Sequence, residues 1–417
     1  MRIVIVGAGF GGLSAANELR DCEDEVILID KNNYHLFQPL LYQVAVSALS
    51  PGDIAYPVRT IFRKSKNIRV VMGEALEVNL KEKSLKLKDS ETIRYDYLIL
   101  APGSLPSFFG NQKLKRYAYP LKELSDALKI REKILLSFEM AEKKLGKMDI
   151  APYLTFLIVG GGPTGVELAG AIAELVKKTI LPDFPILKKQ KIRVILIDSG
   201  SRILSTYPQD LSEYAERALL NLGVELVSNT KVIDIEGNRV ITTNGEFLAE
   251  NIFWAAGNNF PSILQTLGVN LDRLGRVIVN GDLSVPGYPE VFVIGDSAAF
   301  IDDDGNYLPA IAPVAIQEGI FVARIIKGRV PFGQRLVFSY RDKGVMATIG
   351  KARAVALLKG QKLKGLIAWL AWSLVHIFFL IGFRNKIRVM IEWVWYYITN
   401  KSGARLIVNV KKESNSS

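Results

Sequence analysis

The sequence predicts an α/β fold of two similar units, one inserted in the other, followed by a C-terminal helical region. Three stretches support this prediction: a glycine-rich loop between an apolar strand and a helix at 2–18, a second such loop at 153–176, and an uncharged apolar stretch at 366–383. A chain of 417 residues is too long for one ordinary core. Its 49% hydrophobic and 23% charged residues are typical of an ordered globular protein.

The N-terminal loop has the composition and the surroundings of a dinucleotide site. An apolar strand runs into Gly7, Gly9 and Gly12, and the next predicted strand ends in Asp30, 18 residues after Gly12. The first glycine permits the tight turn, the second lets the backbone approach a diphosphate, and the third lets helix and strand pack closely. The helix N-terminus favours the phosphate charge, and the acid can bind ribose hydroxyls. We therefore predict that this loop binds a dinucleotide.

The second loop repeats this arrangement. Gly160, Gly162 and Gly165 follow an apolar strand, and the next strand ends in Asp198 after a longer, basic insert. Asp198 favours NAD over NADP because a carboxylate repels a 2′-phosphate, although Arg202 nearby leaves NADP open. Two such sites in one chain predict two dinucleotides that meet at their reactive ends.

Three later strands complete the two sheets. The strands in 94–104 and 250–258 both run out into small residues, and the strand in 288–300 ends at Asp296. An acid at the carboxyl end of a parallel strand can bind a ribityl or ribose hydroxyl. Because strands of the first unit lie on both sides of the second loop in the sequence, we predict that one domain is inserted within the other.

The C-terminal end combines positive charge with apolar residues. From Gly350 to Ser417 there are 12 Lys and Arg against two Glu, so this end carries nearly all of the net charge of +11. Groove-reading and base-stacking motifs are absent from the sequence, so nucleic acid is not a predicted partner. Basic residues beside Trp-rich apolar segments favour an anionic membrane surface instead.

The apolar stretch 366–383 is an uncharged run of 18 residues, the lower limit for a spanning helix. Three alternatives remain: one transmembrane helix, a buried core or dimer-interface helix, and a helix lying in the membrane interface. Trp369, Trp372 and His376 recur at helical spacing, which suits the headgroup level. Gly382 permits a break, after which an amphipathic segment places four apolar residues on one face: Ile387, Ile391, Val394 and Ile398. We favour two helices anchored in one leaflet.

These residues together resemble the type II NADH dehydrogenase family, the non-pumping NADH:quinone oxidoreductases, within the two-dinucleotide flavoproteins. The resemblance is carried by NNYHLFQPLLYQVA (32–45), GGGPTGVELAGAIAE (160–174), VFVIGDSA (291–298) and WLAWSLVHIFFLIGFRNK (369–386). It implies non-covalent FAD in the first unit, NADH as the substrate of the second, and a homodimer. We expect an FAD-binding domain at 1–110 and 270–330, an NADH-binding domain at 111–269, and a membrane-association and dimer region at 331–417, with a disordered end at 411–417.

Together with the patterns above, the resemblance gives the cofactor contacts. Those expected for FAD are Gly7, Gly9, Phe10, Gly11, Gly12, Asp30, Lys31, Ala101, Gly103, Asp296 and Ala315. Those expected for NADH are Gly160, Gly162, Pro163, Thr164, Gly165, Asp198, Ala256 and Gly257.

The catalytic candidates are Glu167 and Gln317. The resemblance places the matching glutamate where nicotinamide, flavin and quinone networks meet, with a role in orienting the nicotinamide or relaying protons. From the residues alone, a carboxylate in the first turn of a helix, favoured by its dipole, is the alternative.

The quinone site of the family carries the motif A-Q-x-A-x-Q, which reads APVAIQ in this chain. Gln317 therefore matches the second Gln, with a solvated helix residue as the alternative, and Pro313 replaces the first Gln. Pro313 suits the first turn of a helix, and Gly328 suits its end. Further candidates along a quinone path are Leu380, Ile381 and Lys386.

The single cysteine, Cys22, narrows the chemistry. Disulfide reductases need a cysteine pair, and sulfide:quinone oxidoreductases need at least two cysteines, so neither reaction is predicted. No metal site can be read from two His and one Cys, and His35 is expected to be a packed residue.

The resemblance implies hydride transfer from NADH to FAD and transfer of two electrons from reduced FAD to a membrane quinone, without proton pumping. The expected location is the cytoplasmic face of a cell membrane, or its organelle equivalent. Two alternatives stay open: a reductase acting on a naphthoquinone precursor in biosynthesis, and a redox-sensing NADH-binding flavoprotein with little turnover.

Overall fold

The computed structural model describes residues 1–399 and 404–407, so the predicted disordered end at 411–417 lies outside the described residues. The chain divides into two compact units. Unit 1 comprises Met1–Leu36, Ala55–Leu105 and Asn258–Lys343. Unit 2 comprises Phe37–Ile54, Pro106–Gly257 and the described residues from Gly344 onward.

The α-helices are α1 (Phe10–Glu18), α2 (Leu41–Ala45), α3 (Pro51–Ile54), α4 (Val58–Ile61), α5 (Gln112–Tyr117), α6 (Leu124–Lys144), α7 (Pro163–Glu174), α8 (Gln209–Asn221), α9 (Ala312–Lys327), α10 (Gly365–Phe379) and α11 (Phe383–Thr399). The strands are β1 (Arg2–Val6), β2 (Glu25–Asp30), β3 (Tyr34–Leu36), β4 (Ala55–Pro57), β5 (Ile68–Met72), β6 (Ala75–Asn79), β7 (Ser84–Leu87), β8 (Thr92–Arg94), β9 (Tyr97–Leu100), β10 (Leu105–Pro106), β11 (Tyr119–Pro120), β12 (Thr155–Val159), β13 (Arg193–Ile197), β14 (Val224–Val227), β15 (Val232–Glu236), β16 (Arg239–Thr242), β17 (Gly245–Leu248), β18 (Asn251–Trp254), β19 (Asn258–Asn259), β20 (Val277–Ile278), β21 (Ser284–Val285), β22 (Tyr288–Val293), β23 (Ala298–Ala299), β24 (Val345–Thr348), β25 (Ala354–Leu358) and β26 (Gln361–Lys364).

Unit 1 is built on a six-stranded sheet in the order β21-β22-β9-β1-β2-β5. Strand β1 lies parallel to β2 and β9, with Ile3 opposite Val26 and Tyr97. Its apolar residues from Ile3 to Val6 are all buried, which is typical of a parallel strand covered on both faces. Because the neighbouring strands run the same way, their carboxyl ends meet at one edge, where a nucleotide can bind.

Helix α9 of unit 1 has the predicted ends. It carries Pro313 in its first turn, and its C-cap residue is Gly328. Its small residues let it approach α1 closely, since a Cβ added to Gly319 would lie 2.3 Å from the carbonyl oxygen of Gly11. The N-terminal turn of α1 therefore packs closely against the first half of α9, where a Cβ on Gly11 would lie 3.2 Å from the carbonyl oxygen of Ala315.

Unit 2 is built on a parallel five-stranded sheet in the order β11-β18-β12-β13-β14. In the centre, Phe156 of β12 lies opposite Val194 and Asn251. Helix α7 follows β12 directly, as α1 follows β1 in unit 1. The predicted insertion of one unit in the other is thus present in the chain order.

The C-terminal part of unit 2 adds the antiparallel sheet β24-β25-β26 and helices α10 and α11. Helix α10 packs on β25 through Ala354, Ala356 and Ala368, and β24 packs against α7. In the division into two units, residues up to Lys343 belong to unit 1, and the described residues from Gly344 belong to unit 2.

The predicted break in the apolar C-terminal stretch is present. Helix α10 ends at Phe379, α11 begins at Phe383, and Gly382 between them has a φ of 86°. Within the residues that the structure describes, no helix is both long enough and apolar enough to cross a membrane. One expectation about this stretch is wrong: Trp372 is 1% exposed and belongs to the core of unit 2 rather than to a membrane interface, because its ring packs against Trp393 of α11 and against His376.

Candidate functional site

The glycine loop of unit 1 has the geometry of a diphosphate cradle. Gly7 has a φ of 97°, and a Cβ on it would lie 2.2 Å from the carbonyl oxygen of Ala101. A Cβ on Gly12 would lie 1.8 Å from the carbonyl oxygen of Gly7, so turn and helix can pack only without side chains. A Cβ on Gly9 would meet nothing within 4 Å, so the space above this residue is open to a ligand.

Asp30 is fixed at the end of β2 by the loop itself. Its Oδ2 accepts a hydrogen bond from the Ala8 backbone N–H at 2.6 Å, and its Oδ1 accepts one from the Asn32 N–H at 2.7 Å. Lys31, the next FAD candidate, is exposed beside it. The carboxylate is thereby oriented at the rim of the cradle, where the sequence predicts a ribose.

His35 supports the same loop through a hydrogen bond from the interior of unit 1. It is buried, its Nδ1 donates to the carbonyl oxygen of Ala8 at 2.8 Å, and its ring meets Phe10 edge-on at 5.2 Å. Burial lowers its pKa, so the imidazole is neutral at physiological pH. The expectation of a packed histidine is confirmed.

The other strand ends of unit 1 are tied together by hydroxyl groups. Ser104 donates to Oδ2 of Asp296 at 2.5 Å, and Ser297 donates to the carbonyl oxygen of Gly103 at 2.7 Å. Ala315 is buried in the first turns of α9, and its Cβ would lie 3.2 Å from a Cβ on Gly295. The candidate FAD residues of β9, β22 and α9 therefore form one rim.

The structure adds Glu318 to this rim, a residue that the sequence analysis missed. Glu318 is 1% exposed and its Oε2 accepts from the Gly295 N–H at 2.5 Å. Burial, and to a smaller extent the neighbouring carboxylate of Asp296, raise its pKa to about 8, against the opposing hydrogen bond from Gly295. Unit 1 thus holds a buried acid, Glu318, that keeps its proton near neutral pH.

Unit 2 repeats the cradle. Gly160 has a φ of 112°, and a Cβ on it would lie 2.8 Å from the carbonyl oxygen of Ala255. A Cβ on Gly165 would lie 1.8 Å from the carbonyl oxygen of Gly160, whereas one on Gly162 would meet nothing within 4 Å. Pro163 and Thr164, at the start of α7, are exposed beside that open space.

Asp198 occupies the place that Asp30 has in unit 1. Its Oδ2 accepts from the Gly161 N–H at 2.5 Å, and its Oδ1 accepts from the Gly200 N–H at 2.7 Å. The Arg202 guanidinium donates to the carbonyl oxygens of Ser205 and Tyr207, at 2.7 and 3.0 Å. Because this guanidinium is engaged by its own loop, the geometry favours NADH over NADPH.

The remaining NADH candidates follow β18. Ala256 is fixed through its carbonyl oxygen, which accepts from Nε1 of Trp254 at 2.8 Å, and Gly257 has a φ of 74°. This exit adjoins the cradle, since Ala255 is the residue that closes over Gly160.

Both cradles suit a diphosphate. Neither Gly9 nor Gly162, the N-cap residues of α1 and α7, is capped by a side chain, and neither helix has an acid in its first turn. The first N–H groups and the positive end of each helix dipole are therefore available to an anion. The residues present fit one dinucleotide in each unit.

Glu167 lies in the second turn of α7, not in the first turn as the sequence analysis assumed, because the helix begins at Pro163. It is partly exposed, and loss of hydration raises the pKa of its carboxyl group to about 8. The Thr348 backbone N–H donates to Oε1 at 3.3 Å, and the Thr348 hydroxyl also holds the pKa down. Glu167 therefore lies outside the first turn, where the helix dipole acts most strongly, and its raised pKa favours a protonated carboxyl group at neutral pH.

The Gln317 side chain is engaged at both ends. Its Nε2 donates to the carbonyl oxygen of Arg341 at 3.0 Å and to that of Pro313 at 3.2 Å. Its Oε1 accepts from the Arg341 N–H at 3.0 Å. The amide thus contacts the backbone of unit 1 through three hydrogen bonds.

The three quinone-path candidates differ in exposure. Leu380 is 2% exposed and Ile381 is partly exposed. The Lys386 ammonium donates to the carbonyl oxygen of Phe378 at 2.7 Å, which caps the C-terminal end of α10. Of the three, Leu380 therefore packs inside unit 2, and Lys386 has a helix-capping contact.

Helices α10 and α11 present a continuous apolar surface to solvent. On α11 the residues of the predicted apolar face point outwards, with Ile398 at 75% exposure and Ile387 partly exposed. The opposite side of α11 carries Asn385, Val389 and Trp393 at helical spacing, and Asn385 donates to the carbonyl oxygen of Gly52 at 3.1 Å. Other large apolar residues exposed on the two helices are Leu366, Ile367, Leu370, Leu374, Val375, Phe378, Phe379, Phe383, Met390, Ile391, Val394 and Trp395.

Comparison with known proteins identifies the family. Residues 1–319 match the sequence model of the pyridine nucleotide-disulphide oxidoreductases, and residues 343–401 match that of the NDH2 C-terminal domain. The type II NADH:quinone oxidoreductase Ndh of Mycobacterium tuberculosis is 38% identical over 98% of this chain and 90% of its own. Its relative NdhA, from the same organism, is 39% identical over 94% of this chain and 86% of its own.

A solved structure agrees in fold. The structure of NDH2 from Plasmodium falciparum in complex with NADH has a TM-score of 0.86 and covers 95% of this chain and 98% of its own, at 22% identity. With the two nucleotide cradles and the C-terminal helices described above, these matches show that the chain belongs to the type II NADH:quinone oxidoreductase family.

Proposed function

We propose that this protein is a membrane-associated, FAD-dependent NADH:quinone oxidoreductase that does not pump protons. The observation that carries the proposal is the combination of two complete diphosphate cradles with a family match along nearly the whole chain. The same match favours this function over a biosynthetic naphthoquinone reductase and over a redox sensor.

The proposed division of labour follows the two cradles. In unit 1, Gly9 leaves room for the diphosphate of FAD. Asp30 and Asp296 would accept hydrogen bonds from hydroxyl groups on either side of that diphosphate. In unit 2, Gly162 and Asp198 do the same for NADH. Bound FAD would supply the two-electron chemistry between NADH and the quinone.

Cysteine chemistry does not enter the proposal. The family model that matches residues 1–319 is named for disulphide oxidoreductases, yet the chain has one cysteine. Cys22 accepts a hydrogen bond from Nδ2 of Asn67 at 3.3 Å and lies in unit 1, next to the first strand pair. A reaction that needs a cysteine pair within this chain is therefore excluded, and the quinone as acceptor is supported by the family match.

Glu167 is the proposed proton donor. Oxidation of NADH by a quinone transfers one hydride and consumes one proton, which gives NAD⁺ and a quinol. A carboxyl group with a pKa of about 8 holds a proton at pH 7 and can release it at little cost. The other catalytic candidate, Gln317, would bind a quinone carbonyl with its amide after releasing Arg341.

The test is NADH oxidation by the purified protein with and without water-soluble ubiquinone and menaquinone analogues, alongside a flavin spectrum. We expect a bound flavin, slow oxidation without quinone and rapid oxidation with it, and a much lower rate with NADPH. A flavin that NADH bleaches but that no quinone restores would support the redox sensor instead.

We further propose that α10 and α11 hold the protein on the cytoplasmic face of a membrane, or on an organelle equivalent. The exposed apolar side of α11 and the basic C-terminal end support this location. Replacing Ile391, Val394 and Ile398 with Ser should abolish sedimentation with phosphatidylglycerol vesicles. The matched control is Leu220→Ser, which changes an exposed leucine on α8 and should leave binding intact. Equal binding of both variants would contradict the proposed anchor.

The homodimer is also a proposal, supported by the family resemblance. Light scattering on the detergent-solubilised protein should give a protein mass of twice 46.3 kDa. A mass of 46.3 kDa would contradict it.

A further inference from the structure

A chain of hydrogen bonds inside unit 2 connects α11 to Glu167. Nε1 of Trp393 donates to Oε1 of Gln43 at 2.7 Å, and Nε2 of Gln43 donates to the Tyr42 hydroxyl at 3.0 Å. The Tyr42 hydroxyl lies 2.8 Å from the Thr348 hydroxyl, which in turn interacts with the Glu167 carboxyl group. Tyr42, Gln43 and Thr348 are all buried, so water does not compete for these bonds.

The indole at one end fixes the direction of every bond in this chain. An indole N–H can only donate, so the Gln43 atom that faces it must be the oxygen, and the Gln43 nitrogen must face Tyr42. Tyr42 accepts from that nitrogen, and among its described contacts the Thr348 hydroxyl is the acceptor left for its own hydrogen. Thr348 has then accepted a hydrogen and gives its own to Glu167.

The contact from Thr348 is the one that opposes the effect of burial on Glu167. Loss of hydration raises the pKa of this carboxyl group, and the backbone N–H and the hydroxyl of Thr348 both lower it. Two tyrosines face the carboxyl group from neighbouring segments, Tyr42 on α2 and Tyr207 before α8. Among the described ion pairs of unit 2, the nearest acid on α7, Glu174, is paired with Lys178, and none involves Glu167.

We propose that Trp393 is a positioning residue for Glu167: its indole, placed by α11, orients the Gln43, Tyr42 and Thr348 side chains so that Thr348 donates to the Glu167 carboxyl group. The seating of the C-terminal helix then sets how readily Glu167 releases its proton. This inference rests on the proposed role of Glu167 in the reaction.

The chain positions a hydrogen and does not conduct protons. A relay needs groups that both take up and release a proton, and the two members nearest α11 are an amide and an indole, which do neither near neutral pH. The protons consumed at Glu167 therefore reach it by another route. Trp393 affects the protonation equilibrium of Glu167 and does not deliver protons to it.

The test compares the Glu167 titration in single variants. Trp393→Phe keeps an aromatic ring but removes the donor, so the Gln43 amide is free to rotate and Thr348 loses its fixed direction. We expect the titration midpoint of Glu167 to rise by about half a unit to one unit. Tyr42→Phe and Thr348→Val should raise it as well, and Thr348→Ser should restore the wild-type value. Trp395→Phe, on the exposed side of the same helix, is the matched control and should change nothing.

Two measurements separate this inference from the proposed function. The pH profile of quinone reduction reports Glu167 in the reaction, and infrared difference spectra across a pH titration report its protonation in the absence of turnover, with Glu167→Gln identifying the band. An infrared shift without quinone activity would support the positioning role and contradict the proposed function. A Trp393→Phe spectrum identical to that of wild type, or a shift that persists when Glu167 is Gln, would overturn the inference.

Discussion

The two glycine loops of this protein have nearly the same geometry but different surroundings. In both, a Cβ on the third glycine of the motif would lie 1.8 Å from the carbonyl oxygen of the first, and a Cβ on the second would meet nothing within 4 Å. In both, an aspartate at the end of the next strand accepts from the second backbone N–H of the loop, that of Ala8 in unit 1 and that of Gly161 in unit 2. The recognition of a diphosphate therefore cannot distinguish a resident cofactor from a passing substrate.

The two loops differ in the group that donates a hydrogen bond to the carbonyl oxygen of their second residue. The carbonyl oxygen of Ala8 accepts from a side chain, His35, whereas that of Gly161 accepts from the backbone N–H of Leu204. In unit 1 the loop is also covered by α9 through Gly319, whereas in unit 2 α7 meets β24, close to Glu167. The loop of unit 1 thus packs against a second helix, whereas the loop of unit 2 leads into the helix that carries Glu167.

The largest effect should come from filling the open space of each cradle. Gly162→Ala should leave the flavin content unchanged and raise the Kd for NADH by about a hundredfold, or about 2.7 kcal/mol, because the new methyl group takes the place of the diphosphate. Gly9→Ala should instead yield protein without flavin. Absorbance spectra and NADH titrations measure both. If Gly162→Ala lost flavin as well, the assignment of one ligand to each unit would fail.

A smaller effect is expected from the side chain that braces the loop of unit 1. His35→Leu leaves the carbonyl oxygen of Ala8 without its donor, a loss of about 1–3 kcal/mol for a buried group. The flavin should dissociate at a lower temperature, measured by its fluorescence on heating. The matched control is His376→Leu, since this second histidine lies in unit 2 and should leave flavin release unchanged.

The second residue of the loop is Ala8 in unit 1 and Gly161 in unit 2, and substituting each by the other tests whether this difference matters for ligand binding. A Cβ on Gly161 would lie 3.0 Å from Asp198, so Gly161→Ala should displace this acid and weaken NADH binding several-fold, about 1 kcal/mol. Ala8→Gly, the reverse change in unit 1, should have almost no effect on flavin content. An NADH titration that showed no change for Gly161→Ala would mean that the contact with Asp198 can relax.

The last comparison concerns two acids with a raised pKa, the buried Glu318 in unit 1 and the partly exposed Glu167 in unit 2. Both have a pKa raised to about 8 from an ordinary value of 4.5, so the folded protein keeps protons that the unfolded chain loses between these values. Stability should therefore fall as pH rises from 5 to 8, and Glu167→Gln and Glu318→Gln should each flatten this slope of Tm against pH.

The control for this slope is Asp210→Asn. Lys362 and Lys364 lower the pKa of Asp210 to about 2, so its contribution is complete above its ordinary value of 3.8 and is lost only as pH falls towards 2. The slope between pH 5 and 8 should match that of wild type. A slope that neither Gln variant changes would show that the two acids are already ionised in that range.

The sequence was sufficient to predict those features that depend on contacts between residues close to each other in the chain. The glycine spacing, the acids at the ends of β2 and β13, and the ends of α9 at Pro313 and Gly328 all depend on neighbours within one element or one turn. The break at Gly382 belongs to the same class, because a left-handed backbone favours glycine.

Long-range contacts account for what the sequence analysis missed. Thr348 and Tyr42 are separated by 306 residues, and no local pattern links either of them to Glu167. Glu318 could have been found, since it falls on the buried stripe of α9 that runs through Val314, Val322 and Ile326, four residues apart. Trp372 was misplaced because helical spacing gives a face but not the partner that covers it.

The double hydrogen bond between Gln317 and the Arg341 backbone has a consequence for the affinity of any ligand that binds this amide. Any ligand that uses this amide must first find it released, so its apparent Kd equals the intrinsic Kd divided by the released fraction of molecules. A substitution near Arg341 that loosens the segment would tighten binding without touching the ligand, and one that stiffens it would weaken every such ligand by the same factor.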